Sequence, residues 1–108
     1  MINRAGNVYI QNRLAGRIED TTEGYVYTYD EKYLSESDSV ALSITLPLRK
    51  EPYISNTLFY FFDGLIPEGW LLNLIVDNWK INPRDRFGLL MVACNDCIGD
   101  VRIEEVKP

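Results

Sequence analysis

Phe61-Phe62-Asp63-Gly64-Leu65-Ile66-Pro67-Glu68-Gly69-Trp70-Leu71-Leu72 ends one helix and opens the next through a Pro-Glu-Gly turn, so it fixes where the helical half of the chain lies. Pro67 carries a φ suited to the first turn of a helix, which predicts a helix from there to about Trp79. At about 100° per residue Leu71, Leu72, Ile75, Val76 and Trp79 collapse onto one stripe, the side expected to meet a core. Trp70 points roughly 170° from the centre of that stripe, among Asn73, Leu74 and Asp77. A large aromatic at the mouth of a tight turn, facing away from the core, suits an anchor for another molecule, since Trp is enriched among interface hot spots. The alternative is that a loop or strand from elsewhere in the fold covers the ring.

Outward from this stretch the pattern changes from helices to strands. Ser55 or Asn56 is placed to cap a helix through Leu58, Phe59 and Phe62 to Gly64. Asn82-Pro83 repeats the start signal, with Phe87, Leu90, Met91 and Cys94 as the buried face of a third helix. Upstream, Val8-Tyr9-Ile10-Gln11 and Leu14-Ala15-Gly16-Arg17-Ile18 flank the polar pair Asn12-Arg13 at hairpin spacing. Tyr25 to Tyr29 follows the turn signal Thr22-Glu23-Gly24, and Val40 to Leu46 alternates apolar and polar residues up to Pro47. A last strand runs from Val101 to Val106 after Gly99. These elements predict one α+β domain over residues 1–108, a small, mostly antiparallel sheet with about three helices packed on one face.

Composition narrows the function by exclusion. Hydrophobic residues at 46% and charged residues at 25% are globular values that exclude disorder. Sixteen acidic against eleven basic residues give a net charge of −5, and without a basic stripe direct nucleic-acid binding has little electrostatic support. Neither a bilayer-spanning apolar run nor a signal-peptide core is visible, which points to a cytoplasmic protein with reduced cysteines and no membrane partner.

Chemistry is limited by the absence of histidine, which removes Ser-His-Asp and Cys-His arrangements and most zinc sites. The seven glycines are dispersed, so no phosphate-cradling loop forms, and no cofactor or metal is expected. Cys94-Asn95-Asp96-Cys97 matches a redox spacing, but a reactive first thiol belongs at a helix N-terminus, and this pair falls at a C-terminal end. Cys94 reads better as a small buried residue and Cys97 as a loop residue. Glu19-Asp20, Asp30-Glu31 and Glu104-Glu105 diverge as sequence neighbours and read as solvated edges. Tyr25, Tyr27 and Tyr29 share one strand face; core packing explains them more simply than a stacking platform for bases.

The order of segments resembles the N-terminal subdomain of the HipA toxin kinases. The likeness rests on Leu14-Ala15-Gly16, Tyr29-Asp30 with Tyr33-Leu34, Leu42-Ser43-Ile44-Thr45-Leu46-Pro47-Leu48, Phe59-Tyr60 with the stretch from Phe61 to Trp70, Arg86-Phe87-Gly88-Leu89-Leu90, and Asp96-Cys97-Ile98-Gly99-Asp100-Val101. It covers roughly positions 8 to 104. HipA kinases continue beyond this subdomain into an ATP-binding catalytic region that this sequence lacks. A chain of this kind resembles the HipS-like small subunits of tripartite HipBST toxin-antitoxin systems, in which a HipT kinase lacks the subdomain and HipB is the helix-turn-helix DNA-binding partner.

The resemblance implies an antitoxin, not an enzyme, that binds and inhibits a HipT-like serine/threonine kinase toxin in a ternary complex with a HipB-like protein. Trp70 would then lodge near the glycine-rich loop that closes over ATP phosphates. The Pro67-Glu68-Gly69 turn sets the angle, and Leu65, Ile66, Leu71 and Leu74 form a surrounding apolar ring. Two other readings are a noncatalytic assembly subunit of a HipB-type repressor complex and a dithiol oxidoreductase built on Cys94 and Cys97.

Overall fold

A long hairpin opens the chain: β1 (Ile2–Ile10) and β2 (Arg13–Thr21) pair antiparallel around Gln11-Asn12. Both turn residues are left-handed, with φ of 51° and 67°, the backbone of a type I′ turn whose twist matches the strands it joins. The turn falls one residue before the expected Asn12-Arg13. The computed structural model describes residues 2–94 and 100–106, the side chains of Ile2, Asn3 and Trp70 excepted. β3 (Gly24–Tyr29), β4 (Tyr53–Ser55) and β5 (Val101–Val106) complete an antiparallel sheet of order β4-β3-β2-β1-β5. Four helices accompany it among the described residues: α1 (Glu31–Ser35), α2 (Tyr60–Asp63), α3 (Gly69–Trp79) and α4 (Arg86–Ala93). The α+β expectation holds.

Alternation along the strands sends Val8, Ile10, Ile18, Tyr27, Tyr29 and Ile103 into one core with Phe62 of α2 and Phe87, Leu89, Leu90 and Met91 of α4. A Cβ on Gly6 would lie 2.9 Å from Ile103 Cγ2 and from Met91 Sδ, so glycine there lets α4 close onto β1. The strand tyrosines are core residues, as expected. The Tyr27 ring meets Tyr29 edge-on at 4.9 Å and Phe62 at 5.5 Å, and Tyr25 stacks on Phe87 at 6.2 Å. At the α4 end, Asp85 caps the helix by accepting from Gly88 N at 3.1 Å. Arg4 reaches from β1 to both Asp20 and Asp85, at 2.7 and 2.8 Å, with its guanidinium 5.0 Å from the Phe87 ring centre.

The expected strand from Val40 to Leu46 does not form. Residues 40–46 are a loop with one isolated bridge between Ser43 and Leu46, and the fourth strand is Tyr53–Ser55 instead. Tyrosine hydroxyls have taken the backbone groups that a ladder would use. Tyr33 OH accepts from Val40 N and donates to Val40 O, while Tyr29 OH accepts from Leu42 N and donates to Leu46 O. The Ser43 hydroxyl also accepts from Thr45 N, a local turn that competes with sheet pairing. Leu42 and Leu46 are buried, but Ile44 between them is 97% exposed, so the alternation does not define one face.

Helix boundaries shift for similar local reasons. Ser55 lies in β4 and its hydroxyl accepts from Thr57 N, so it caps no helix, and α2 is a single turn beginning at Tyr60. α1 was not anticipated. Its N-cap is Asp30, whose side chain accepts from Tyr33 N at 3.3 Å. The helix expected from Asn82-Pro83 is α4 and begins at Arg86, after an Asn82 turn in which the side-chain oxygen accepts from Arg84 N. Phe87, Leu90, Met91 and Cys94 are buried on it as predicted, joined by Leu89.

Candidate partner-binding site

The turn between α2 and α3 is built before it is displayed. Leu65 N donates to Phe62 O at 3.0 Å and Ile66 N to Asp63 O at 3.2 Å, which coils the chain tightly after the single turn of α2. Arg86 Nε donates to Asp63 Oδ1 at 2.8 Å, tying the start of the turn to α4. Ile66 is only 4% exposed and packs into the core, so it anchors the turn from within and cannot join an outward apolar ring as the sequence suggested. Leu65 is half-buried against the same core, and Pro67 is half-buried.

From Glu68 onward the chain faces outward. Glu68 is the exposed N-cap of α3 and makes no side-chain cap hydrogen bond. Gly69 is exposed with a φ of 62°, and a Cβ there would meet nothing within 4 Å. That left-handed backbone, not crowding, makes glycine fit the position. The Trp70 backbone is helical, but its side chain lies outside the described residues. Leu71 and Leu74 are exposed at 43% and 46%. The structure therefore gathers Glu68, Gly69, Leu71 and Leu74 on an open surface at the start of α3 and assigns Leu65 and Ile66 to its support.

At the far end of α3 the expectation fails. Trp79 was placed in the buried stripe, yet it is 64% exposed. Only Leu72, Ile75 and Val76 of that stripe pack partly against the core. Lys80 takes a left-handed conformation, φ 55° and ψ 43°, which ends α3 and redirects the chain, so that Val76 and Ile81 on either side pack partly against the core while Trp79 does not. The stripe narrows to Leu72, Ile75 and Val76, because Leu71 is also exposed at its edge and the redirection of the chain at Lys80 is not visible in the periodicity.

Among the described residues no group of three or more His, Cys, Asp or Glu side chains is placed to hold a metal ion. Cys94 is buried at the C-terminal end of α4, where its backbone N donates to Leu90 O and its carbonyl accepts from Ile103 N. Cys97 lies outside the described residues. No helix among the described residues is long and apolar enough to cross a membrane.

A hairpin-led antiparallel sheet whose core is closed by α2 and α4 defines the class, a small α+β domain. The sequence matches the HipA N-terminal domain family over residues 6–104, and the chain belongs to that family. An uncharacterized protein of Haemophilus influenzae is 30% identical over 104 residues, covering 96% of this chain and 94% of that protein. The putative kinase Y4mE of Sinorhizobium fredii is 28% identical over 111 residues; the match takes in the whole of this chain but spans only 26% of that protein. The solved N-terminal domain of HipA toxin shares the fold, with a TM-score of 0.70 at 20% identity, over 99% of this chain and 96% of that one.

Proposed function

We propose that this domain is an antitoxin that binds a HipT-like serine/threonine kinase in trans and silences it without catalysing any reaction itself. One comparison carries the reading. The same domain makes up 94% of one relative and 26% of another that is named a putative kinase, so the family contains it both nearly alone and joined to a larger body. A domain that sits beside a kinase when fused has a surface suited to the same place when supplied separately. The α2–α3 turn supports this, because its interior residues hold it rigid and Glu68, Gly69, Leu71 and Leu74 are left outside. In this reading Trp70 enters the kinase near its glycine-rich loop and opposes closure over the ATP phosphates. A HipB-like helix-turn-helix protein completes the complex and supplies the DNA contact, which a chain of net charge −5 is poorly suited to make.

The test is kinase activity with and without this protein, beside thermal melts. Alone, the protein should leave ATP intact. Trp70→Ala should weaken inhibition by about 2–4 kcal/mol, the range of an interface hot spot, while leaving the melt nearly unchanged. Phe62→Ala is the core control, since Phe62 is fully buried and its loss should cost about 3–5 kcal/mol of folding stability. A well-folded Trp70→Ala variant that inhibits at wild-type potency removes Trp70 from the mechanism. Kinase activity unaffected by any amount of wild-type protein removes the antitoxin reading.

A further inference from the structure

Exposed large apolar side chains are scattered singly over most of this surface, at Leu14, Val40, Ile44, Leu48, Ile54 and Tyr60. α3 is the exception, with Leu71, Leu74 and Trp79 all exposed on one helix of 11 residues. At about 100° and 1.5 Å per residue, Trp70 and Trp79 stand about 180° apart around the axis and about 13.5 Å apart along it. Leu74, Asn78, Leu71 and Ile75 fall in that order between them. Apolar positions thus occur round half of the helix circumference, interrupted by exposed Asn78; Ile75 at the edge of this arc, like Leu72 and Val76 beyond it, packs partly against the protein's own core, and Leu71, Leu74 and Trp79 are left exposed. Asn73 and Asp77 close the circle between Val76 and Trp70. A surface helix serving a single core needs an apolar arc of roughly 100°, and α3 carries about twice that.

Trp79 ends the sweep in an unusual position. By periodicity it lies on the core-facing side, yet it is exposed between Val76 and Ile81, which both pack partly against the core, at the C-terminal rim where Lys80 breaks the helix. We infer that Trp79 is a second anchor of the kinase interface: the partner follows the apolar sweep of α3 from the Pro67–Gly69 turn to the C-terminal rim and takes the Trp79 ring into a pocket of its own. This rests on the antitoxin reading above. The occupant is the kinase body because about three quarters of Y4mE lies outside the region matched by this domain, and the sweep is continuous with the surface already assigned to that partner. Trp is also the side chain most often found as a buried interface anchor.

The chain has two tryptophans, so fluorine NMR of 5-fluorotryptophan-labelled protein with unlabelled kinase reads both ends of α3 at once, assigned through Trp70→Phe and Trp79→Phe. Both resonances should move on complex formation. Trp79→Ala should raise the inhibition constant by about 30-fold or more with little change in melting temperature. Asn73→Ala, in the polar sector, should leave the inhibition constant unchanged. If Trp79→Ala folds poorly, the Trp79 resonance of the wild-type complex decides. A Trp79 resonance that stays still while that of Trp70 moves, or a folded Trp79→Ala variant of wild-type potency, overturns the second anchor and leaves the antitoxin reading standing. Failure of either resonance to move, with kinase activity unaffected, removes both.

Discussion

Removing one hydroxyl at a time from Tyr27, Tyr29 and Tyr33 separates three neighbouring rings by what their OH groups do. Tyr29 OH donates to Leu46 O and accepts from Leu42 N at 2.9 Å, inside the core. Phenylalanine in its place leaves one buried carbonyl and one buried N–H unpaired, at about 1–3 kcal/mol each before the loop relaxes, so Tyr29→Phe should cost about 2–4 kcal/mol. Tyr33 OH makes a matching pair of bonds to Val40 N and O at 3.0 and 2.7 Å, but Val40 is 55% exposed. Water can replace the hydroxyl there, and Tyr33→Phe should cost only about 0.5–1.5 kcal/mol. Tyr27 OH is fully buried with no hydrogen-bond partner among the described residues. Burial pushes its phenol pKa up, so it remains neutral, and its desolvation is uncompensated. Tyr27→Phe should therefore be neutral or stabilising by up to about 2 kcal/mol. Urea unfolding at constant m-value measures all three, and in a domain of this size about 1 kcal/mol corresponds to 4–8 °C in Tm. Tyr27→Phe losing more than about 1 kcal/mol, or Tyr29→Phe lying within about 0.5 kcal/mol of wild type, would refute this account of how the 40–46 loop is held.

The Arg4 guanidinium, hydrogen-bonded to Asp85, holds the Asp85 carboxyl below its ordinary range against the opposing effect of burial, and the Gly88 N–H acts in the same direction as Arg4. A depressed folded pKa stabilises the protein above the unfolded value of about 3.9 and ceases to as pH falls through the folded value. The stability gap between wild type and Asp85→Asn should therefore be widest near neutrality and close in acid, read from urea midpoints between about pH 7 and pH 3. Gly69→Ala meets no steric obstacle but forces a Cβ residue to a φ of 62°, so it should lower stability by about 1–2 kcal/mol or shift the start of α3, visible in melts and in amide chemical shifts over residues 68–72.

Much of this architecture is readable from sequence because it is written locally. The hairpin is announced by two β-prone runs around a polar pair, β3 by alternating tyrosines, α4 by its apolar spacing, and β5 by a run whose bounds the structure reproduces. The failures share a different cause. Val40 to Leu46 has the alternation of a strand, but hydroxyls from Tyr29 and Tyr33, distant in sequence, claim its backbone groups. β4 is three residues long, too short to give a periodic signal, and owes its existence to pairing with Tyr25, Val26 and Tyr27. The candidate site divides the same way: periodicity placed Leu74 outward, but it put Leu71, which is 43% exposed, on the core stripe and could not place Ile66 inside, because that depends on the way the α2–α3 turn folds back.

Trp79 shows why the site is harder to read than the fold. A helical wheel records direction and not how far the core extends along the axis, so a residue on the buried azimuth is still exposed once the helix outruns what lies beneath it. At the end of α3 Lys80 and the Asn82 turn redirect the chain toward α4, so Ile81 and not Trp79 meets the core. None of the described side chains on α3 is buried, whereas α4 buries Phe87, Leu89, Leu90 and Met91. The sheet and α4 hold the buried core and are tied by Arg4 to Asp20 and Asp85; α3 is carried on them by half-buried leucine, isoleucine and valine contacts. A helix so placed keeps more apolar surface than its own domain can cover, which is the condition under which burial against a partner adds the most. The same surface that weakens α3 in isolation is therefore what favours its docking onto the kinase proposed here.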